Sequence, residues 1–316
     1  MDSLPCLLSA WVMNIQSFKN ILVVRPGSIG DTVACFPVFY SLKKSLFNVY
    51  LIGAEKMIDY LCKIRLIEKG IGFGDIRLVG FFTYQQKFDI PDMPAFDLII
   101  CYIEPDNIFA QNMLNTYKNK VIFYPVPQKL PYHITEFLLE PLRKLGIETF
   151  CEINRHITDD KNIVFIHPGS GSKKKNLPRE YFYEIFTKLK QIRECKIIIG
   201  ECEKPDRNYW ITKVGIENIV EPETIIELAE ILEGGCCFIG NDSGVSHLAA
   251  FLGLNSIVIF GPTNPDIWAP KGKNVKIIKT SVECAPCDPE TLNHCQDIKC
   301  LKKIDVPSII QAVNLH

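Results

Sequence analysis

The stretch CCFIGNDSGVSHLAAFLG, residues 236–253, shows the pattern on which the fold prediction rests. Its first residues are apolar or small, as in a strand that is covered on both faces. A Gly-Asn-Asp-Ser-Gly turn follows, and after it an Ala- and Leu-rich segment with helical spacing. Strand, tight turn and helix in this order are typical of one unit of a parallel α/β sheet.

The same alternation continues in both directions and predicts an α/β fold class for the whole chain. In the first half it predicts strands at residues 21–26, 49–54, 76–81, 96–103 and 120–126. In the second half it predicts strands at residues 163–168, 196–200, 217–222, 236–240, 256–262 and 275–280. The predicted helices cover residues 31–46, 55–64, 106–117, 134–146, 179–193, 204–214, 223–233, 243–253 and 306–313.

A polar stretch at residues 156–162 separates the two runs of strands and predicts two Rossmann-like domains. We expect an N-terminal extension at residues 1–20, a first domain at 21–156 and a second at 157–316. Ligands of open parallel sheets bind beyond the carboxyl ends of the strands. Two such domains therefore predict parallel sheets that face an interdomain cleft.

Composition excludes several classes of protein. The 35 Lys and Arg residues balance 36 Asp and Glu residues, so we expect no nucleic-acid groove. No apolar run is long enough to cross a bilayer, and the first 18 residues contain no Lys or Arg for a secretory signal. A G-x-G-x-x-G motif followed by an acidic residue about 20 positions later is missing, which disfavours a nicotinamide dehydrogenase.

The first candidate site is the turn VVRPGSIGDTV, residues 23–33. Gly27 and Gly30 allow a tight turn and close approach of a ligand to the backbone. Asp31 stands at the start of the next helix, where it caps the helix, takes a proton from an acceptor hydroxyl, or does both. Arg25 either closes the sheet edge or binds an anionic acceptor.

The second candidate site is the turn FIHPGSGSKKKNLPREYF, residues 165–182. Small residues around Ser170 can surround an anion with N–H and hydroxyl groups, and Lys175 ends a run of three lysines. This pattern is typical of a phosphate loop. The alternative is a solvated lysine run before a helix.

The third candidate site is the Gly-Asn-Asp-Ser-Gly turn of the opening stretch. Ser243, Ser246 and His247 share one face of the first helical turn, and Gly244 lies between them. A diphosphate would find N–H donors, hydroxyls and an imidazole there. Asp242 either caps the helix or accepts hydrogen bonds from sugar hydroxyls. Thr263, in the Gly- and Pro-rich loop 260–270, is a further candidate donor to the ligand.

In their joint order these motifs resemble the lipopolysaccharide heptosyltransferases of glycosyltransferase family 9, from about residue 21 to 313. The resemblance implies the two-domain GT-B architecture and inverting transfer. It implies that Asp31 is the catalytic base, that Lys175 binds the donor phosphate, and that Glu203 contacts the nucleotide ribose. By the same resemblance Asp242, Ser243, Gly244 and His247 bind the donor. Arg25 and Gly30 are the candidate acceptor-side residues.

The resemblance also implies the substrates. A heptose unit would pass from an ADP-sugar donor to the core oligosaccharide of lipid A, in the cytoplasm, with transient contact to the inner face of the membrane. No D-x-D pair precedes the donor region, so we expect no metal and no cofactor. A nucleotide-sugar epimerase, a transferase with another donor or acceptor, and a sugar-nucleotide-binding protein without catalysis are the alternatives.

Thirteen cysteines form two groups. Nine are scattered, mostly through apolar runs, and are predicted to be buried thiols of a protein in a reducing compartment: Cys6, Cys35, Cys62, Cys101, Cys151, Cys195, Cys202, Cys236 and Cys237. Cys284, Cys287, Cys295 and Cys300 are clustered near the end of the chain. A zinc site with His294 as a spare ligand, disulfide pairing and unligated thiols are the open interpretations of this segment.

Overall fold

The computed structural model describes residues 15–83, 89–153 and 162–314. The chain divides into two compact units between Cys151 and Glu152. Residues 1–14 of the predicted extension, and the predicted domain boundary at residues 156 and 157, lie outside the described residues. Each unit contains one wholly parallel sheet with helices, so the predicted α/β fold class with two Rossmann-like sheets is confirmed.

The first unit contains a five-stranded sheet with the order β3-β2-β1-β4-β5. Its strands are β1 (Asn20–Arg25), β2 (Asn48–Gly53), β3 (Lys69–Gly72), β4 (Leu98–Cys101) and β5 (Val121–Phe123). Its helices are α1 (Ile29–Ala34), α2 (Phe36–Lys44), α3 (Glu55–Lys63), α4 (Ile108–Tyr117) and α5 (Ile134–Lys144). The central strand is buried on both faces, since its residues 21–24 are fully inaccessible to solvent.

The second unit contains a six-stranded sheet with the order β11-β10-β9-β6-β7-β8. Its strands are β6 (Ile163–His167), β7 (Glu194–Ile198), β8 (Ile219–Val220), β9 (Cys237–Asn241), β10 (Asn255–Phe260) and β11 (Val275–Lys279). Its helices are α6 (Arg179–Leu189), α7 (Arg207–Val214), α8 (Ile225–Glu233), α9 (Gly244–Leu252), α10 (Pro265–Trp268), α11 (Pro289–His294), α12 (Lys299–Lys302) and α13 (Val306–Asn314).

The predicted strand at residues 76–81 is wrong. Ile76–Phe82 forms a 3₁₀ helix that begins after Asp75, whose side chain accepts a hydrogen bond from the N–H of Arg77. Leu78 and Phe81 are buried and Ile76 is 78% exposed, so burial follows a period of three residues. Burial on one face of a strand would instead alternate with a period of two residues.

The sequence prediction also missed β3, which pairs with β2 at the edge of the first sheet. Its sequence is KGIG, with Ile71 as its one large apolar residue. Gly70 allows Ile58 of α3 to pack closely, because a Cβ at Gly70 would lie 3.0 Å from the Ile58 side chain. A strand with so few apolar side chains carries little hydrophobic pattern.

The order of strands places the candidate loops. In the first sheet β1 lies between β2 and β4, and in the second β6 lies between β7 and β9. The chain therefore reverses its direction of travel across each sheet at these strands, and open α/β sheets bind ligands beyond the carboxyl ends at that point. The loops after β1, β6 and β9 are the three turns that the sequence singled out.

Among the described residues no helix combines the length and apolar character needed to cross a membrane.

Candidate functional site

In the second unit, three loops meet at Asp242, which directly follows β9. This residue is 7% exposed. Its Oδ2 accepts a hydrogen bond from Lys175 Nζ at 2.9 Å and one from Thr263 Oγ1 at 2.6 Å. Lys175 belongs to the loop after β6, and Thr263 to the loop after β10. Three of the predicted donor-binding residues therefore form one hydrogen-bonded cluster.

The N-terminus of α9 lies next to this cluster in the chain. Ser243 is the capping residue, and its Oγ accepts a hydrogen bond from the Ser246 N–H at 3.3 Å. Gly244 and His247 belong to the first turn, and both are half-buried. The N-terminal end of this nine-residue helix carries partial positive charge, which favours the binding of an anion.

Ser246 does not contribute to a polar face that is open to solvent. It is fully buried, and its hydroxyl donates to the carbonyl oxygen of Asn241 at the end of β9. Of the other two side chains of the predicted polar face, Ser243 is 8% exposed and His247 is half-buried. Ser246 instead joins the strand to the helix.

The loop after β6 is held by its own hydroxyl groups. Ser170 is buried, and its Oγ lies 2.9 Å from the carbonyl oxygen of Ser172 and 2.6 Å from Asn176 Oδ1. The three lysines of this loop differ in their surroundings. Lys173 is exposed, while Lys174 Nζ donates to the carbonyl oxygen of Leu292 at 2.9 Å. Among these three lysines, the one that donates a hydrogen bond to Asp242 is Lys175.

Glu203 lies in a tight buried arrangement with the start of the same loop. Its Oε2 accepts a hydrogen bond from the N–H of Gly200 at 2.9 Å and lies 3.3 Å from His167 Nε2. Both Glu203 and His167 are buried. A Cβ at Gly169 would lie 1.5 Å from Glu203 Oε1, so only glycine fits at that position. Glu203 thus packs directly on the backbone of the predicted phosphate loop.

Burial raises the pKa of Glu203, but the hydrogen bond and charge of His167 and the N–H of Gly200 lower it, and the net shift is downward. Glu203 is therefore ionised over the physiological pH range. A buried carboxylate that stays ionised needs its partners, because an unpaired charge in the interior costs several kcal/mol, on the order of 3–5.

In the first unit, Asp31 lies in the first turn of α1, where it takes part in a capping box with Ser28. The N–H and the hydroxyl of Ser28 each donate to Asp31 Oδ2 at 2.8 Å. Its other oxygen, Oδ1, accepts a hydrogen bond from Arg25 Nη2 at 2.7 Å. The capping interpretation of Asp31 is confirmed. Its side chain is 31% exposed, so the carboxylate is also open to a ligand.

The loop geometry explains why Gly27 precedes this pair. Its φ is +142°, and a Cβ there would lie 2.7 Å from Asp31 Oδ2. Arg25 is 9% exposed and reaches Asp31 from the end of β1. Gly30 is part of α1 and half-buried. Arg25, predicted as an acceptor-side residue, therefore has an acidic partner within the protein.

The cysteines agree only in part with the prediction. Four of the scattered ones are buried, and three, Cys62, Cys151 and Cys236, are half-buried. Cys202 is exposed, because it lies on the outer side of a short 3₁₀ helix whose buried residue is Glu203, so the prediction of a buried thiol is wrong there. Cys6 lies outside the described residues. Burial raises the pKa of Cys35 to about 12, which keeps this thiol neutral near Arg25 and Asp31.

The clustered cysteines lie in a segment that contacts the site loops. All four are free thiols, and Cys300 is the buried one. The N–H of Cys287 donates to the carbonyl oxygen of Pro262, next to Thr263, at 2.7 Å. Across the described part of the chain, no three His, Cys, Asp or Glu side chains are arranged to hold a metal ion. The segment supports the loop after β10 through its backbone.

Sequence reasoning missed two polar residues of these sites. Ser28 could have been found, because a serine three residues before an aspartate at a helix start is the capping-box pattern. His167 has no local signal, since its partner Glu203 is 36 residues away and meets it only through the pairing of strands.

Comparisons with known proteins identify the family of this chain. Residues 138–295, half of the chain, match the sequence profile of glycosyltransferase family 9 (heptosyltransferase). The chain belongs to glycosyltransferase family 9. The predicted family is therefore confirmed, and the protein is a glycosyltransferase of the heptosyltransferase family.

Two curated relatives of this family-9 chain are lipooligosaccharide heptosyltransferase 2 of two Campylobacter jejuni strains. The serotype O:6 protein is 27% identical over 93% of this chain and 98% of its own length. The serotype O:2 protein is 29% identical over 50% of this chain, and the match spans only about half, 52%, of that relative.

Solved structures show the same fold. The family 9 glycosyl transferase from Veillonella parvula has a TM-score of 0.71 at 15% identity and covers 94% of this chain and 96% of its own. The E. coli heptosyltransferase WaaC with ADP has a TM-score of 0.65 at 15% identity, over 94% of this chain and 99% of its own.

The contact between Gly169 and Glu203 gives a test within the second unit. We expect Gly169→Ala to lower the free energy of unfolding by about 1–3 kcal/mol, because the added methyl displaces a buried carboxylate. Gly171→Ala is the matched control, since a Cβ at Gly171 would meet nothing within 4 Å. Urea unfolding of both variants measures the difference, and equal stabilities would contradict the close packing.

The lowered pKa of Glu203 predicts a pH-dependent contribution to stability. Above the ordinary pKa of 4.5 the ionised group stabilises the fold, and this stabilisation is lost as the pH falls through the lower folded value. We expect Glu203→Gln to be less stable than the wild type at neutral pH, with a difference that shrinks in acid. Urea unfolding across a pH series measures it. Glu194→Gln, an exposed control on β7, should show no such trend.

Proposed function

We propose that this protein is an inverting glycosyltransferase that moves heptose from ADP-heptose to the inner core of lipopolysaccharide. The cluster of Asp242, Lys175 and Thr263 beside the N-terminus of α9 carries the proposal. It offers fixed positive charge and hydroxyl groups at the ligand-binding edge of the second sheet. The names of the Campylobacter relatives support heptose as the sugar, and the ADP bound to WaaC supports the nucleotide.

The donor contacts follow from the chemistry of a diphosphate. Lys175 and the N–H groups at the start of α9 bind the phosphates, assisted by Ser170, Ser243, Gly244 and His247. Asp242 holds Lys175 in place before the donor arrives and accepts hydrogen bonds from sugar hydroxyls, while the hydroxyl of Thr263 is a further hydrogen-bond partner for the sugar. Glu203, which packs against Gly169 in the loop after β6, is proposed to contact the ribose of the nucleotide.

Asp31 is proposed as the general base. The acceptor hydroxyl attacks the anomeric carbon, its proton passes to Asp31, and the bond from the anomeric carbon to the ADP oxygen breaks. Attack opposite the leaving group inverts the anomeric configuration. Arg25 and Ser28 hold the carboxylate in a fixed orientation, while its 31% exposure leaves room for the acceptor.

Charge that develops on the leaving ADP is stabilised by Lys175 and the helix N-terminus. These groups supply positive charge of the kind that a bound metal ion supplies in other transferases, so turnover is proposed to need neither a metal nor a cofactor. Turnover in excess EDTA tests this point.

On the acceptor side we propose that Arg25 and Gly30 contact the acceptor. We also propose transient contact of the protein with the inner face of the cytoplasmic membrane.

One assay tests the reaction as a whole. The purified protein is incubated with ADP-heptose, with and without core lipid that lacks heptose. Release of ADP only in the presence of acceptor supports transfer. Isomerisation of the sugar nucleotide without acceptor would indicate an epimerase instead, and binding without turnover would indicate a binding protein.

Replacing the proposed base should stop turnover and leave donor binding intact. We expect Asp31→Asn to lower kcat by about 10²–10⁴-fold, because the amide cannot accept the proton. The Kd for ADP should not change, since the proposed donor contacts belong to the second unit. ADP release and calorimetric ADP binding measure the two quantities.

Asp75→Asn is the matched control for this variant. Asp75 lies in the same unit, caps a 3₁₀ helix and is paired with Arg77 at 2.6 Å, as Asp31 caps α1 and is paired with Arg25. We expect turnover of the Asp75 variant to stay near that of the wild type. Equal kcat values for the two variants would contradict the assignment of Asp31.

Two neighbouring lysines test the donor site. We expect Lys175→Ala to lower kcat/KM for the donor by about 10²–10³-fold, the usual loss when one charge stabiliser is removed. Lys174→Ala should cost far less, because Lys174 is bonded to the carbonyl oxygen of Leu292. Similar losses at both positions would mean that the run acts through its total charge, and the specific role of Lys175 would be wrong.

A further inference from the structure

Asn241 is the last residue of β9 and is completely buried. Its side-chain Nδ2 donates to the carbonyl oxygen of Pro168 at 2.8 Å. Its Oδ1 accepts a hydrogen bond from the N–H of Leu177 at 2.9 Å. These two partners lie at opposite ends of the loop after β6. One amide group therefore holds both ends of residues 168–177, which we call the donor loop.

The chemistry of the two partners requires an amide at position 241. A carbonyl oxygen only accepts, and a backbone N–H only donates, so the group between them must supply one donor and one acceptor. Of the side chains of this size, only that of asparagine does so in one plane. Aspartate lacks the donor, leucine lacks both, and a buried partner left without a hydrogen bond is costly.

The position of Asn241 in the chain connects this clamp to the ligand site. The next residue, Asp242, binds Lys175 within the donor loop, and the carbonyl oxygen of Asn241 accepts a hydrogen bond from Ser246 in α9. The strand end, the helix start and the donor loop are thus joined through two adjacent residues. Displacement of the loop would move Lys175 relative to the N-terminus of α9.

We propose that Asn241 is a positioning residue that holds the donor loop in its phosphate-binding conformation. The inference rests on the proposed function, in which this loop and α9 bind the diphosphate. Asn241 itself does not touch the donor in this account. It acts through Lys175 and Ser170, because it holds both ends of the loop that contains them.

The test compares Asn241→Ala with the wild type in the full chain. We expect hydrogen exchange in peptides that span residues 168–178 to accelerate, because the Leu177 N–H loses its acceptor. We also expect the Kd for ADP to rise by about tenfold or more, since small displacements of binding groups are expensive. In turnover assays KM for ADP-heptose should rise more than kcat falls.

A second variant separates the two ends of the loop. Asn241→Asp keeps the acceptor for Leu177 and loses the donor to Pro168, so we expect exchange to accelerate mainly at residues 169–172. If the alanine variant fails to fold, exchange at residues 169–172 of the Asn241→Asp variant still tests the positioning role.

Asn112→Ala is the matched control. Asn112 is a buried asparagine of the first unit, and its Nδ2 donates to the carbonyl oxygens of Phe81 and Thr83 at 3.1 and 2.6 Å. It should lower thermal stability as Asn241→Ala does, without changing donor-loop exchange or the Kd for ADP.

The outcomes distinguish the two proposals. Unchanged loop exchange in both Asn241 variants, or faster exchange with an unchanged Kd for ADP, would overturn the positioning role. Failure of the wild-type protein to bind ADP would instead overturn the proposed donor. The exchange rates would then test only whether Asn241 holds the two ends of the donor loop.

Discussion

Strand β6 pairs in parallel with β9, with His167 opposite Gly240, and the candidate donor site depends on that pairing. The two strands are about 70 residues apart in the sequence, yet their carboxyl ends lie side by side at the same edge of the sheet. The donor loop leaves one of them and α9 follows the other. A parallel sheet can bring two such loops together because all its strands end on the same side.

Two pairs of opposite charge are formed within the protein at the candidate sites. Arg25 lies against Asp31, and Lys175 lies against Asp242. Under the proposed function, a diphosphate ligand would enter a site whose charges are already oriented, and its binding would exchange one partner of Lys175 for another. Fixed dipoles and charges that need little reorganisation are the usual source of electrostatic stabilisation in enzymes. The near-zero net charge of the chain is consistent with this local pairing.

Most strands and helices, and the three loops of the candidate sites, could be predicted from the sequence, because strands, turns and helices have local sequence signals. Asp242 directly follows an apolar strand, and Asp31 and Lys175 lie in the turns after two others, where ligands of parallel sheets bind. The 3₁₀ helix at Ile76–Phe82 was misread because its burial pattern spans only two turns. Asn241 and His167 could not be assigned roles, since the atoms that define those roles lie at positions 168, 177 and 203. A sequence shows neighbours along the chain, and these contacts depend on how the sheet is assembled.

The cysteine-bearing segment contacts two loops of the candidate site through its backbone. The N–H of Cys287 binds Pro262 beside Thr263, and the carbonyl oxygen at Leu292 binds Lys174 of the donor loop. Residues beyond β11 thus help to build the ligand-binding edge and are not a dispensable tail. A chain shortened to end after Lys279 would keep all six strands of its second sheet, but it would lose the supports of two site loops and buried core residues such as Leu301 and Ile309. The same segment therefore contributes to the core of the second unit and to the loops of the candidate site, so we expect its removal to destabilise both together.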